Sequence, residues 1–149
     1  MNTRSTINLF LENKTLAIAG VSRNPKKFGF LVYKTLREKG YDLYPINPKS
    51  DDNEETNWFR NVSEVPDYVE NLLIITNKRD TETVLKDAIK KGIKNVWIQQ
   101  QSETPGSLKL AADHQINLVT KACIMMYANP SGIHKFHGNL SRFFGKYVG

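Results

Sequence analysis

The stretch TLAIAGVSRNPKKFG, residues 15–29, decides the fold. Thr15 to Ala19 is a short run, apolar after its first residue, of the length of a strand buried on both faces. Gly20 ends the run and lets the chain turn sharply. Ser22 then offers a hydroxyl, and Arg23, Lys26 and Lys27 add cationic reach. From Phe28 the period changes. Phe28, Leu31, Val32 and Leu36 recur near helical spacing until Gly40, which stops the helix. A buried strand, a positively charged glycine turn and an amphipathic helix together open a parallel α/β sheet.

The same alternation continues on either side. Thr6 to Leu11 reads as a short leading helix. Tyr41 to Ile46 is a second strand, closed by Asn47-Pro48. Ser50 to Asn57 is polar and acidic, a loop, and Trp58 to Arg60 reads as a short edge strand. Asn71 to Thr76 is a buried strand carrying Leu72, Leu73, Ile74 and Ile75. Asp80 to Lys91 is a helix with Val84, Leu85, Ala88 and Ile89 on one side, stopped by Gly92. Asn95–Gln99, Pro105–His114 and Ile116–Thr120 read as strand, helix and strand, and the aromatic-rich stretch from Ser131 holds a further short helix. This pattern predicts a Rossmann-like, doubly wound parallel sheet with helices on both faces, one domain over residues 1–149. Right-handed crossovers place the first strand centrally.

Composition agrees. With 40% hydrophobic and 24% charged residues in 149, the chain is of globular type and long enough to bury an ordinary core. No apolar run approaches the roughly 20 residues that span a bilayer. The N-terminus lacks the apolar core of a secretory signal. A single cysteine, Cys123, forms no internal disulfide, so the expected compartment is reducing and cytoplasmic. The net charge is +6. Residues 114–149 supply four of those charges through Lys121, Lys135, Arg142 and Lys146, with no acid among them, and hold all three histidines. A basic end suits a phosphorylated cofactor, an acidic protein or nucleic acid, and equally a solvated face.

Ligands of such sheets bind outside the carboxyl ends of the strands, where strand order reverses. Those ends here are Gly20-Val21-Ser22, Asn47-Pro48-Lys49, Thr76-Asn77, Gln99-Gln100-Gln101 and Lys121-Ala122-Cys123. The helix N-terminus near Phe28 presents free N–H groups to a phosphate, with Arg23, Lys26 and Lys27 alongside. The turn is not the G-x-G-x-x-G fingerprint, because Ser22 holds the second glycine position and the loop is longer. NAD sites usually place Asp or Glu at the end of the second strand to hold the ribose hydroxyls. Here that end is Asn47-Pro48-Lys49, with Asp51 and Asp52 further on. Lysine there suits a phosphorylated ribose, as in coenzyme A or NADP.

With those residues in view, the chain resembles the small stand-alone CoA-binding domain proteins, which are similar to the N-terminal domain of the succinyl-CoA synthetase α subunit. The matching pieces are Ala19-Gly20-Val21-Ser22-Arg23-Asn24-Pro25 with Phe28-Gly29, Tyr44-Pro45-Ile46-Asn47-Pro48, Trp97-Ile98-Gln99-Gln100, Cys123-Ile-Met-Met-Tyr127 and His134-Lys-Phe-His137. The resemblance implies cofactor phosphates at Gly20, Val21, Ser22 and Arg23. It implies nucleotide contacts from Pro48 and Lys49, and contacts along the cofactor from Thr76, Asn77 and the Gln99–Gln101 turn. Asn47 and Lys26 complete the candidate set. The synthetase's second domain, with its phosphorylated histidine, has no counterpart in this chain. The expected role is therefore a non-catalytic or regulatory CoA or acyl-CoA module.

Two other classes remain open at this level. An NADP-dependent oxidoreductase would need a substrate domain and an acid–base pair, neither of them evident. A nucleic-acid binder would use the basic tail with Trp58 and Trp97, yet the aromatics fall mostly on apolar strand runs. No membrane partner is expected. Cys123, His134 and His137 could form a Cys–His nucleophile or part of a metal site. A fourth zinc ligand and an orienting carboxylate are not evident, so Cys123 reads first as a small buried hydrophobe. If it reacts, Lys121 and the nearby histidines would lower its pKa.

Overall fold

The computed structural model describes residues 3–22, 24–49 and 58–128. Five strands make one all-parallel sheet: β1 (Thr15–Ala19), β2 (Asp42–Ile46), β3 (Asn71–Ile74), β4 (Asn95–Gln99) and β5 (Asn117–Ala122), in the order β2-β1-β3-β4-β5. The strands are short and buried because alternate residues feed two separate cores. Leu16 and Ile18 of β1, Leu73, Trp97 and Val119 face one side. There they pack on Ile7 and Phe10 of α1 (Arg4–Glu12), Val32 and Leu36 of α2 (Phe28–Glu38), and Ile124 and Met125 of α5 (Ile124–Ala128). Ala17, Ala19, Leu72, Ile74, Val96 and Ile98 face the other, against Leu85 and Ala88 of α3 (Lys78–Lys91) and Ala111 of α4 (Pro105–Asp113). The 3-10 turn Val62–Glu64 completes that layer through Val62. The sheet is doubly wound, as the alternation of periods requires.

Three sequence-based expectations shift. The first strand is interior but not central. Chain reversal after β2 sends β3 to the far side of β1, so β3 holds the middle. Trp58–Arg60 is not a strand but carries an isolated parallel bridge between Phe59 and Ile46: the Phe59 N–H donates to Pro45 O at 2.9 Å, and its carbonyl accepts from Asn47 N at 2.8 Å. A five-residue helix, α5, follows β5 directly, in a stretch not read as an element from the sequence. The helix expected from Ser131 lies outside the described residues.

Register on the side away from the strand ends is pinned by an amide ladder. Asn71, Asn95 and Asn117 start β3, β4 and β5 and stand in register. Asn117 Nδ2 donates to Asn95 Oδ1 at 2.9 Å, and Asn95 Nδ2 to Asn71 Oδ1 at 3.2 Å. Asn71 Nδ2 in turn donates to Phe10 O at 2.8 Å. The ladder ties α1 to three strands and leaves the opposite rim free to vary. Among the described residues, no helix is long and apolar enough to cross a membrane.

Candidate functional site

Strand order reverses between β1 and β3, and there the two chains leave the sheet almost in contact. Gly20 has φ +100°, and a Cβ on it would fall 2.7 Å from Ile75 C and 2.8 Å from Thr76 N. Gly29, in the first turn of α2, is equally confined: its Cβ would lie 2.7 Å from Gly20 O. Two glycines nine positions apart therefore let a helix end, a strand end and the neighbouring strand's exit meet at backbone distance. The intervening loop is curled by local side-chain bonds. Ser22 Oγ accepts from Asn24 N and Asn24 Oδ1 from Lys26 N, both at 3.0 Å.

Beside this meeting point opens a cleft of about 530 Å³. Of the residues expected from sequence, Gly20, Ser22, Thr76, Asn77, Gln99 and Gln100 line it together. The lining also takes in Lys27, Phe28, Gly29, Ile75, Lys78, Gln101 and Ser102. Lys27 and Gln101 belong to stretches the sequence reading had marked. Lys78 follows Thr76-Asn77 directly, so a wider window at that strand end would have found it. Ser102 is different. Its Oγ donates to Thr76 O at 2.8 Å, and its carbonyl accepts from Thr81 Oγ1 at 2.7 Å, contacts that only the fold creates. Gln101 adopts φ +76°, a left-handed backbone that no sequence pattern announces.

The other expected residues lie elsewhere. Val21 is fully buried and supports the turn from within. Asn47 donates through Nδ2 to Val21 O and accepts Lys49 N at Oδ1, each at 2.8 Å, so its side chain buckles β2's exit to the β1 turn. Lys26, Pro48 and Lys49 are exposed and do not line this cleft. Arg23, Asp51, Asp52, His134 and His137 lie outside the described residues.

The electrostatics of the cleft are one-sided. Helices α2 and α3 both begin at it, and neither has a side-chain N-cap bond. Their positive dipole ends point where Lys27 and Lys78 also stand, and among the described residues no carboxylate or imidazole lines the cleft. Such a wall favours an anion with several oxygens. Hydroxyls and amides from the ends of β3 and β4 continue it away from the positive end. Among the described residues, no group of three or more His, Cys, Asp or Glu could hold a metal ion.

Cys123 follows β5, where the ladder with β4 slips. Trp97 pairs with Val119 but Gln99 with Ala122, and Lys121 takes φ +56°. That bulge turns the chain inward and buries Cys123 and Ile124 beside Gln99. Burial pushes the Cys123 thiol pKa up, and the Gln99 amide with the Met125 and Met126 N–H groups offsets only part of this. The expectation that Lys121 and the histidines would lower it is reversed: Lys121 and His114 are exposed, and desolvation dominates.

With this geometry described, comparison with known proteins is specific. The profile of a family described as "CoA binding domain" matches residues 14–129. The alpha subunit of an ADP-forming acetate–CoA ligase II from Pyrococcus furiosus is 25% identical over 93% of this chain and 31% of its own length. An ADP-forming acetate–CoA ligase from Methanocaldococcus jannaschii is 29% identical over 89% of this chain and 19% of its own. The chain thus spans less than a third of either ligase. Among solved structures, a hypothetical protein from Pyrococcus horikoshii superposes with a TM-score of 0.77 at 30% identity, over 87% of this chain and 92% of that one.

Proposed function

The chain belongs to the CoA binding domain family, and from that premise we propose that it binds coenzyme A or an acyl-CoA in the cleft between β1 and β3. The single observation that carries the reading is the coincidence of the family's matched region with that cleft. Its positive end is built by Gly20, Gly29 and the start of α2. In this reading the cofactor's pyrophosphate lies at Ser22, Lys27 and the α2 N-terminus, where the neighbouring Arg23 and Lys26 add positive charge to the same stretch of sequence. The strand order supports a direction for the ligand in this reading. The adenosine lies toward β2, where Asn47, Pro48 and Lys49 form the exit and Lys49 serves the ribose phosphate. The pantetheine arm runs the other way, over Thr76 and Asn77 to Gln99 and Gln100.

The protein acts in this reading as a binding or regulatory module. Among the described residues, the cleft wall offers neither carboxylate nor imidazole for general acid–base work near neutral pH. The buried thiol suits a reducing, cytoplasmic setting. Calorimetry with CoA, dephospho-CoA and NAD tests the assignment. CoA is expected to bind more tightly than the other two, because it alone of the three carries the ribose phosphate. NAD binding as tightly as CoA would refute it.

A further inference from the structure

Thr81 is fully buried near the start of α3 and does not itself line the cleft. Its hydroxyl oxygen nevertheless meets three residues that do. It lies 2.7 Å from Ser102 O, 3.2 Å from Asn77 O and 2.9 Å from Thr76 Oγ1. A hydroxyl has one proton to donate and two lone pairs to accept with. Carbonyl oxygens only accept, so the Thr81 proton is spent on Ser102 O, the shorter contact, with Asn77 O beside it. The contact with Thr76 must then run the other way, Thr76 Oγ1 donating to Thr81 Oγ1. Ser102 Oγ in turn donates to Thr76 O at 2.8 Å, and the Ser102 N–H to Gln99 O at 2.9 Å. Both cleft hydroxyls therefore spend their protons inside the wall. What they have left is acceptor capacity.

We propose that Thr81 is a positioning residue that sets the hydrogen-bond sense of the cleft wall at the ends of β3 and β4, so that this wall takes a neutral chain bearing N–H or O–H groups. This rests on the reading that the cleft takes CoA, and it deepens that reading by giving the wall to the pantetheine arm. The two ends of the cleft are then opposite in kind. Lys27, Lys78 and the helix starts donate, which suits phosphate oxygens. Thr76 and Ser102 accept, which suits the amide N–H groups and hydroxyl of the arm. A phosphate laid there would set oxygen against oxygen. The amides of Asn77 and Gln100 serve either sense, so the hydroxyls decide it. Thr76 cannot turn its proton outward without leaving two oxygens 2.9 Å apart with none between them. A buried network whose members are all paired resists such a change.

The experiment measures, by calorimetry, the binding of CoA and of phospho-ADP, the nucleotide half of CoA without its arm. Wild-type protein should bind CoA about tenfold more tightly than phospho-ADP, as expected when the arm gains hydrogen bonds of its own. Thr81→Val keeps the branched shape, removes the hydroxyl and frees the Thr76 proton. It should weaken CoA about tenfold and leave phospho-ADP within about twofold of wild type. Thr81→Ser, which keeps the hydroxyl, should return CoA to within about threefold. Unchanged CoA affinity in Thr81→Val overturns the inference. So does an equal loss of both ligands, which would mark Thr81 as a support of the fold at large. Should Thr81→Val not fold, Thr76→Val at the half-buried cleft position carries the same expectation and the same refutation. Equal wild-type affinities for CoA and phospho-ADP overturn the role of the wall while leaving nucleotide binding intact. If the wild type binds neither, the CoA reading itself fails.

Discussion

Gly20 shows how one residue can commit a site. Its left-handed backbone disfavours any side chain by about 1–2 kcal/mol, and the approach of Ile75 and Thr76 backbone adds an overpacking cost of about 1–3. Gly20→Ala should therefore lower unfolding free energy by roughly 2–5 kcal/mol in urea titrations. Gly40 is the control: it too has positive φ, but a Cβ there meets nothing within 4 Å. Gly40→Ala should show only the backbone part, about 1–2 kcal/mol. Equal losses at the two positions would refute the close approach. Cys123 supports a second prediction at this scale. Its folded pKa is raised, so its contribution is fully present below the ordinary thiol value of about 8.5 and fades as pH rises through the folded value. The stability difference between wild type and Cys123→Ala should narrow from pH 7 to pH 10. A difference constant across that range would contradict the buried thiol.

At the scale of elements, the amide ladder does what hydrophobic alternation cannot. Apolar strands slide against one another with little penalty along their axis, whereas Asn71, Asn95 and Asn117 match only in one register. Asn71 is buried and serves both Phe10 O and Asn95. Asn71→Ala leaves the buried Phe10 carbonyl without its donor, so about 1–3 kcal/mol of stability should be lost. The loosening should centre on α1. Hydrogen exchange is expected to speed up in Arg4–Glu12 and β3 while α4 stays protected. Helix α4 has its own closure, a capping box in which Thr104 Oγ1 accepts Ser107 N and Ser107 Oγ accepts Thr104 N. Uniform exchange across all elements would show that the ladder does not act locally.

For the whole molecule, the order β2-β1-β3-β4-β5 sets the direction of any ligand along the rim. In the proposed reading, phosphates at the β1 turn would leave one end of the ligand toward β2 and the other toward β3 and β4. A ligand spanning those elements binds only when all are in place, so it should stabilise the fold as a unit. At a free concentration about one hundred times its Kd, CoA should add about 2.7 kcal/mol to unfolding free energy. For a chain of this size, that corresponds to a rise in Tm on the order of 5–10 °C by calorimetry. The shift should shrink as salt is raised, because cationic side chains and helix ends supply part of the affinity. A Tm unmoved by saturating CoA would refute the binding reading.

The sequence by itself determined the class of fold and the place of the turn. A buried run ending at Gly20, followed by a change of period at Phe28, has one compact solution: parallel strands with helices on both faces. The polar strand ends Ser22, Thr76, Asn77, Gln99 and Gln100 were legible for the same reason, since a strand's end is marked by where its apolar run stops. Other features required the tertiary structure, because each depends on groups far apart in the chain. Asn47 looks like a ligand contact until its amide is seen holding Val21 O, 26 positions away. Lys49 suits a ribose phosphate by type, yet its place outside the described cleft came only from the coordinates. The pKa direction of Cys123 reversed because burial, which local sequence does not encode, outweighs nearby charge. Gln99 is the clearest case. Sequence marks it as a polar strand end, but the β5 bulge and the start of α5 decide that its side chain is buried, with the amide oxygen held by the Ile124 N–H and the amide set against Cys123.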